Sequence, residues 1–285
     1  MPLTINTNTA AATASYNLSR NHASLQKSLV RLSTGSRINK SSDDAGGLAV
    51  SMKLEESANR LRGVQNNIQN AISFLEVQDG VLEGTADILG RMGELKALSQ
   101  DVLKNSADIA NYNAEFKNLQ VQLYQMANEK FNGVSLFATK ATDGSTDGVF
   151  GGTVSEDNTV SIYTSERGAA GPGVSLDKSM LLSAMTFTSS TDTAAVEFGK
   201  ANSKTFGATD TSTAISLDEL TVSFFSQALE NVATLRADNG GTASRLSFAS
   251  EHASRSQANL EAANGRIMDV DIAEESTRLA KYNIL

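Results

Sequence analysis

Two stretches of this chain repeat an apolar or small residue at alternating steps of three and four, and they lie near opposite ends. The first runs through Leu54, Ala58, Leu61, Ile68, Ile72, Leu75, Leu82, Ala86 and Leu89, broken only at Gln65 and Asp79. The second runs through Leu246, Ala249, Ala253, Leu260, Ala263, Ile267 and Val270. A 3,4 spacing held over several heptads predicts long helices that bury a stripe against other helices. The segment between differs: 25 of residues 139–215 are Ser or Thr and nine are Gly, too few apolar side chains for another such helix. The expected fold is mainly α, a long antiparallel coiled-coil or bundle rod made by the N- and C-terminal segments, with a small β-rich central insert.

Local signals set the element boundaries. A short seam, Leu18, His22, Leu25, Leu29 and Leu32, predicts a first helix, and Ser33–Gly47 reads as a polar break. Asp43 or Asp44 is placed to cap a second helix from Ala45 to about Lys104, interrupted in spacing near Gly90 and Gly93. A third helix is expected after the polar turn 105–113, carrying Phe116, Leu119, Leu123 and Met126 on one face. FNGV at 131–134 is a tight-turn signal. In the insert, 159–164 and 185–188 favour strands, and GAAGPG at 168–173 reads as a loop. A disordered insert is the competing reading. Helix resumes near Leu217 and is expected to break at Asn239-Gly240-Gly241, with a final helix from about Thr242 to Leu285. These boundaries divide the chain into 1–44, 45–138, 139–215, 216–250 and 251–285.

Charge and chemistry narrow the function. Net charge is −8. Residues 1–42 carry Arg20, Lys27, Arg31, Arg37 and Lys40 with no acid, whereas 269–275 hold Asp269, Asp271, Glu274 and Glu275 with no base. Bases spaced along an amphipathic helix, without interleaved aromatics, point to complementarity between terminal helices rather than to nucleic acid. The chain has no Cys and two His, His22 and His252, which lie far apart. No HExxH, GxSxG or P-loop occurs, and adjacent Asp43 and Asp44 read as helix caps. No catalytic, metal-binding or cofactor-binding residue is assigned, and an enzyme is not expected. There is no run of 18 apolar residues for a membrane span and no conventional secretory signal at the N-terminus.

Residues 25–54, LQKSLVRLSTGSRINKSSDDAGGLAVSMKL, resemble the N-terminal signature of the bacterial flagellins. The segment from Ser244 to Leu285, including RIMDVDIAEES at 266–276, resembles their C-terminal signature. The resemblance implies a self-assembling filament subunit without catalysis. Its terminal helices would pair in an inner layer, through Leu18, Leu25, Leu29, Leu32, Leu260, Ile267 and Val270. The insert would project outward. It also implies export through the flagellar type III route to an extracellular flagellum, without a cleaved signal peptide. Implied partners are other copies, the export apparatus, an export chaperone, and the hook-associated junction and cap proteins. No nucleic acid or membrane is implied. By the same alignment Arg91, Leu95 and Glu115 fall where the family contacts Toll-like receptor 5. Gly90 and Gly93 depart from the family's polar or basic residues there, so reduced receptor binding is expected. The family continues past YNIL with further helical turns. Either the chain has been cut short, and is then expected to stay monomeric or polymerise poorly and to lack part of its chaperone site, or a divergent version does without those turns. Within the superfamily a hook–filament junction protein is the alternative reading, and outside it a coiled-coil scaffold with a binding insert.

Overall fold

The computed structural model describes residues 8–138, 159–187, 204–205 and 208–285. In chain order they form α1 (Thr9–Thr34), α2 (Ala45–Ser99), α3 (Ser106–Ala127), β1 (Lys130–Phe131), β2 (Val134–Ser135), β3 (Thr159–Tyr163), β4 (Gly173–Asp177), α4 (Leu181–Ala184), β5 (Thr186–Phe187), β6 (Lys204–Thr205), α5 (Val222–Met268) and α6 (Ile272–Ile284). Two compact units result: Met1–Gly63 with Ser254–Leu285, and Val64–Ala253. Helices α2 and α5 contribute to both.

Helix ends follow from short-range chemistry. Asn8 Oδ1 accepts from Ala11 N to start α1, and Gly35, at φ +73°, ends it with its N–H donating to Arg31 O. That left-handed cap is a conformation glycine adopts without strain. Asp44 accepts from Gly47 N at 2.8 Å and so starts α2, as the sequence predicts. The α2–α3 turn is shorter than expected. Helix α2 stops at Ser99, and α3 begins at Ser106 because Asn105 and Asp108 form a reciprocal capping box.

The buried stripe of α2 is stricter than the expected one. Leu61, Ile68, Leu75, Leu82 and Leu89 alternate with Val64, Ala71, Gln78, Thr85 and Met92, and every one is buried. This is an a/d heptad with polar side chains at two d-like positions. Ile72 and Ala86, assigned to the seam from apolarity, lie partly buried beside it. Gln78 is tolerated because its Nε2 donates to Leu136 O at 2.8 Å, and Thr85 because its hydroxyl donates to Val81 O at 2.9 Å.

In the unit Val64–Ala253 this stripe meets α3 and α5 in one core that includes Phe116, Leu123, Phe224, Phe225, Val232 and Leu246. Helices α2 and α5 run antiparallel there. Asn239 Nδ2 donates to Leu75 O at 2.9 Å, and Arg236 grips Asp79 through two bonds of 2.9 and 3.0 Å. Asp79 interrupts the expected seam because it faces this arginine. Helix α2 continues unbroken through Gly90 and Gly93. Phe225 packs over Gly93, where an added Cβ would lie 3.5 Å from the Phe225 Cβ.

FNGV forms the two-residue turn of the β1–β2 hairpin, with Asn132 at φ +49° and Gly133 at φ +82°. Both central residues at positive φ define the turn that matches strand twist. β3 pairs antiparallel with β4 in the register Thr159↔Asp177 to Tyr163↔Gly173, and β5 pairs with β6. GAAGPG supplies a 3₁₀ turn, Gly168–Ala170, before β4. The expected second strand is only Thr186–Phe187, and residue 188 lies outside the described residues. The described part of the insert is not a detached exposed body, because Leu176, Leu181 and Met185 belong to the same buried cluster as Phe224.

Two expected boundaries move in the last third. Asn239-Gly240-Gly241 does not break α5, which runs from Val222 to Met268. Burial of Asn239, with its amide bonded to α2, outweighs the local turn preference. The break falls instead at 269–271, where Asp271 caps α6 by accepting from Ala273 N and Glu274 N. No heavy atom outside the helix backbone would lie within 4 Å of a Cβ at Gly240 or Gly241. Gly240→Ala and Gly241→Ala are each expected to stabilise the soluble chain by about 0.5–1 kcal/mol, measured by urea unfolding. A loss of stability would mean that this stretch is not helical.

Candidate assembly face and receptor-facing residues

In the unit Met1–Gly63 with Ser254–Leu285, parts of the N- and C-terminal sequence signatures fold onto each other. The loop after α1 straps the α5–α6 junction. Arg37 N donates to Met268 O at 2.6 Å, Val270 N donates to Gly35 O at 3.0 Å, and Ser36 bridges to Asp269. The Arg37 guanidinium donates to Ile267 O at 2.7 Å, placing a cation at the carbonyl end of α5. The two aspartates divide the work. Asp44 caps α2, whereas Asp43 meets Lys27 Nζ at 2.6 Å and accepts from the Asn39 and Lys40 amides. The Lys27 hydrogen bond foremost holds the Asp43 carboxyl below its ordinary range. Gly47 is required by space, because a Cβ there would run into the Asp44 carboxylate and come within 2.9 Å of buried Ile38.

Helices α1 and α6 pack together through a buried carboxylate. Glu275 Oε1 accepts from Ser28 Oγ at 2.6 Å, while Oε2 lies 3.7 Å from Arg31 and 3.6 Å from Arg278. Complementarity between the basic and acidic ends is therefore narrower than charge counting predicts. Of the five N-terminal bases, among the described residues, only Arg31 reaches an acid of the 269–275 cluster; Lys27 turns to Asp43 and Arg37 to backbone. Arg62 joins Glu261 at 2.6 Å, and Ser51 donates to Asn264 at 2.6 Å, tying α2 to α5 within the same unit.

The residues assigned to assembly are incompletely covered in a single chain. Leu18 is 66% exposed and Leu29 49%. Leu25, Leu32, Leu260, Ile267 and Val270 are half-buried. Tyr16, Val30, Ile272 and Ile284 add further exposed apolar surface to α1 and α6. His22 is exposed. Sequence reasoning placed Glu275 in the acidic cluster facing the N-terminal bases but missed its partner Ser28 and the burial of both. Ser28 is polar among the leucines of the α1 seam, three residues before Arg31, and that spacing is the signal for it.

In the unit Val64–Ala253, Arg91 and Glu115 come together. Arg91 Nε donates to Glu115 Oε1 at 2.9 Å and Nη1 to Glu94 at 3.1 Å. Glu115, then Glu94, raises the guanidinium above its ordinary value, so it stays charged. Leu95 is placed differently. It is 0% exposed and belongs to the buried core. Among the described residues there is no cluster of three His, Asp or Glu able to hold a metal, and no helix is long and apolar enough to cross a membrane.

The profile of the bacterial flagellin N-terminal helical region matches residues 5–142, and that of the C-terminal helical region matches 222–285. Flagellin of Bacillus subtilis (strain 168) is 30% identical over 290 aligned residues, covering 99% of this chain and 92% of that protein. Flagellin FlaB1 of Treponema pallidum (strain Nichols) is 27% identical, with 99% and 91% covered. A crystal structure of Bacillus cereus flagellin aligns over 66% of this chain and 88% of that one, at 23% identity and a TM-score of 0.45. With both helical regions matched, and full-length relatives of the same name, the chain belongs to the bacterial flagellins and is a structural subunit of the bacterial flagellar filament.

Proposed function

We propose that subunits join through the faces of α1 and α6, with residues 1–44 and 251–285 in the inner layer of the filament. Residues 45–138 and 216–250 would form the layer around it, and 139–215 would face outward. The observation that carries this reading is the exposure of Tyr16, Leu18, Leu29 and Ile272 on two helices already paired with each other. Apolar surface left open after the helices have paired is what a neighbouring copy would bury. The chain would reach the extracellular flagellum by the flagellar type III route, unfolded. Its helices would meet the export apparatus and chaperone on the way, and the junction and cap proteins at the two filament ends.

Leu18→Asp and Leu29→Asp test the assembly face. Each is expected to leave helicity unchanged, because neither site is buried in the subunit, and to raise the concentration needed to elongate filament seeds about 100-fold. Elongation by both variants at the unsubstituted concentration would refute the assignment.

Arg91 and Glu115 form the exposed part of the surface that we propose Toll-like receptor 5 would recognise. The Arg91–Glu115 ion pair would compete with the receptor for both side chains, which favours weak signalling. Arg91→Ala is expected to lower reporter-cell activation by purified subunit about tenfold. Activation equal to that of the parent chain would remove Arg91 from the contact.

A further inference from the structure

A cavity of about 300 Å³ opens in the unit Val64–Ala253 between α2 and the β1–β2 and β3–β4 hairpins. Its floor is apolar and includes Phe74, Phe131, Ile162 and Leu176, with Phe74 and Phe131 edge to face at 6.0 Å. Around it stand Asn67, Asn70, Asn132 and Tyr163. All four are exposed to solvent, and none of their side chains bonds to another described residue. Among the described residues, no Asp, Glu, Lys, Arg or His lines the cavity.

Asn132 has a structural reason to be where it is, since its φ of +49° suits asparagine. Asn67 and Asn70 sit one turn apart in the middle of α2, exposed to solvent, where asparagine is a poorer helix former than alanine, and their side chains bond to no other described residue. Carboxamides placed against helix propensity beside an aromatic floor are a small-ligand arrangement: an apolar surface for contact and a few polar groups for orientation. The volume sits at the lower end of the roughly 300–1,000 Å³ usual for such sites, which suits one ring rather than an extended chain.

We propose that this cavity binds a neutral pyranose ring. Its C–H face would lie on the Phe131 side, and its hydroxyls would exchange hydrogen bonds with the Asn67, Asn70 and Asn132 carboxamides. A carboxamide both donates and accepts, as a hydroxyl does, so three of them satisfy a hydroxylated edge in a way that charged groups cannot. The uncharged lining excludes ligands whose charge would be left unpaired.

The test is amide NMR of the purified soluble chain with D-glucose, D-galactose and N-acetyl-D-glucosamine added singly at millimolar concentration. Saturable shifts confined to 67–74, 131–134 and 160–163 are expected with at least one sugar. D-glucuronate, a comparable ring with a carboxylate, is expected to bind more weakly than the best neutral sugar. Asn67→Ala with Asn70→Ala is expected to weaken binding about tenfold. Asn132→Gly keeps the turn and is expected to weaken it further, with circular dichroism unchanged for all variants. Absence of saturable shifts with all three sugars overturns the proposal. So does binding that survives the triple substitution, or occupation of the cavity by indole but by no sugar.

Discussion

Phe225→Ala is expected to lower the stability of the soluble chain by about 3–5 kcal/mol, the largest loss for any single side chain considered. Phe225 is 2% exposed and stands edge to face with two rings, Phe116 at 6.0 Å and Phe224 at 5.3 Å. Such pairs add about 0.5–1.5 kcal/mol to the burial of apolar surface. Removing the ring opens a cavity between α2, α3 and α5, and three long helices bonded along their length collapse poorly into it. Phe248 supplies the contrast. It is on the same helix but 70% exposed, and Phe248→Ala is expected to stay within about 0.5 kcal/mol of the parent. Urea unfolding followed by circular dichroism reads both. A loss below about 1 kcal/mol at Phe225, or equal losses at the two positions, would mean that the aromatic trio is not the centre of this core.

The same contrast explains what the sequence could reveal. Periodicity locates α2 because burial on one face recurs every seven residues for most of its length. It misplaces half of the stripe: Gln78 and Thr85 are polar, and only the structure shows Leu136 O and Val81 O waiting for them, while Ile72 and Ala86, one residue along from Ala71 and Thr85, fit a four-residue step equally well. Turn chemistry is readable where backbone conformation decides alone, as at Asn132-Gly133 with both residues at positive φ. It misleads where a tertiary contact overrides it, as at Asn239-Gly240, where the asparagine amide bonds Leu75 O and α5 runs on. The same asymmetry holds for the end of α5. Asp271 was visible as one of four acids, but its capping of α6 depends on where the chain bends, which composition does not encode.

Charge was readable in sign and not in detail. An acid-free N-terminal stretch and a base-free C-terminal one announce that they meet. They do not say that one carboxylate, Glu275, carries the contact while Asp43 draws Lys27 away. Nor can spacing reveal that Leu95 points into the core while Arg91, one turn earlier, points out, because both suit the same helix.

Glu275→Ala is expected to release α6 from α1 at a cost of about 3 kcal/mol, the lower end of what breaking a buried ion pair incurs. Glu275 has 5% of its side chain exposed and Arg31 16%, so the substitution strands a partly buried guanidinium whose Nε already lacks a partner among the described residues. Ser28 Oγ loses its acceptor at the same time. Glu275→Gln keeps that acceptor and removes only the charge, so it is expected to cost about half as much. Arg278→Ala removes a half-exposed partner of the same carboxylate and is expected to cost less than about 1 kcal/mol. The loss is local. An undocked α6 of 13 residues is too short to stay helical in water, whereas the core around Phe225 does not depend on Glu275. Hydrogen exchange is therefore the measurement. Amides of α6 and of α1 near Ser28 are expected to exchange about 100-fold faster in Glu275→Ala, with those of residues 68–92 unchanged. Unchanged protection of α6 would mean that apolar contact alone holds the two helices, and that the buried carboxylate serves only to fix their register.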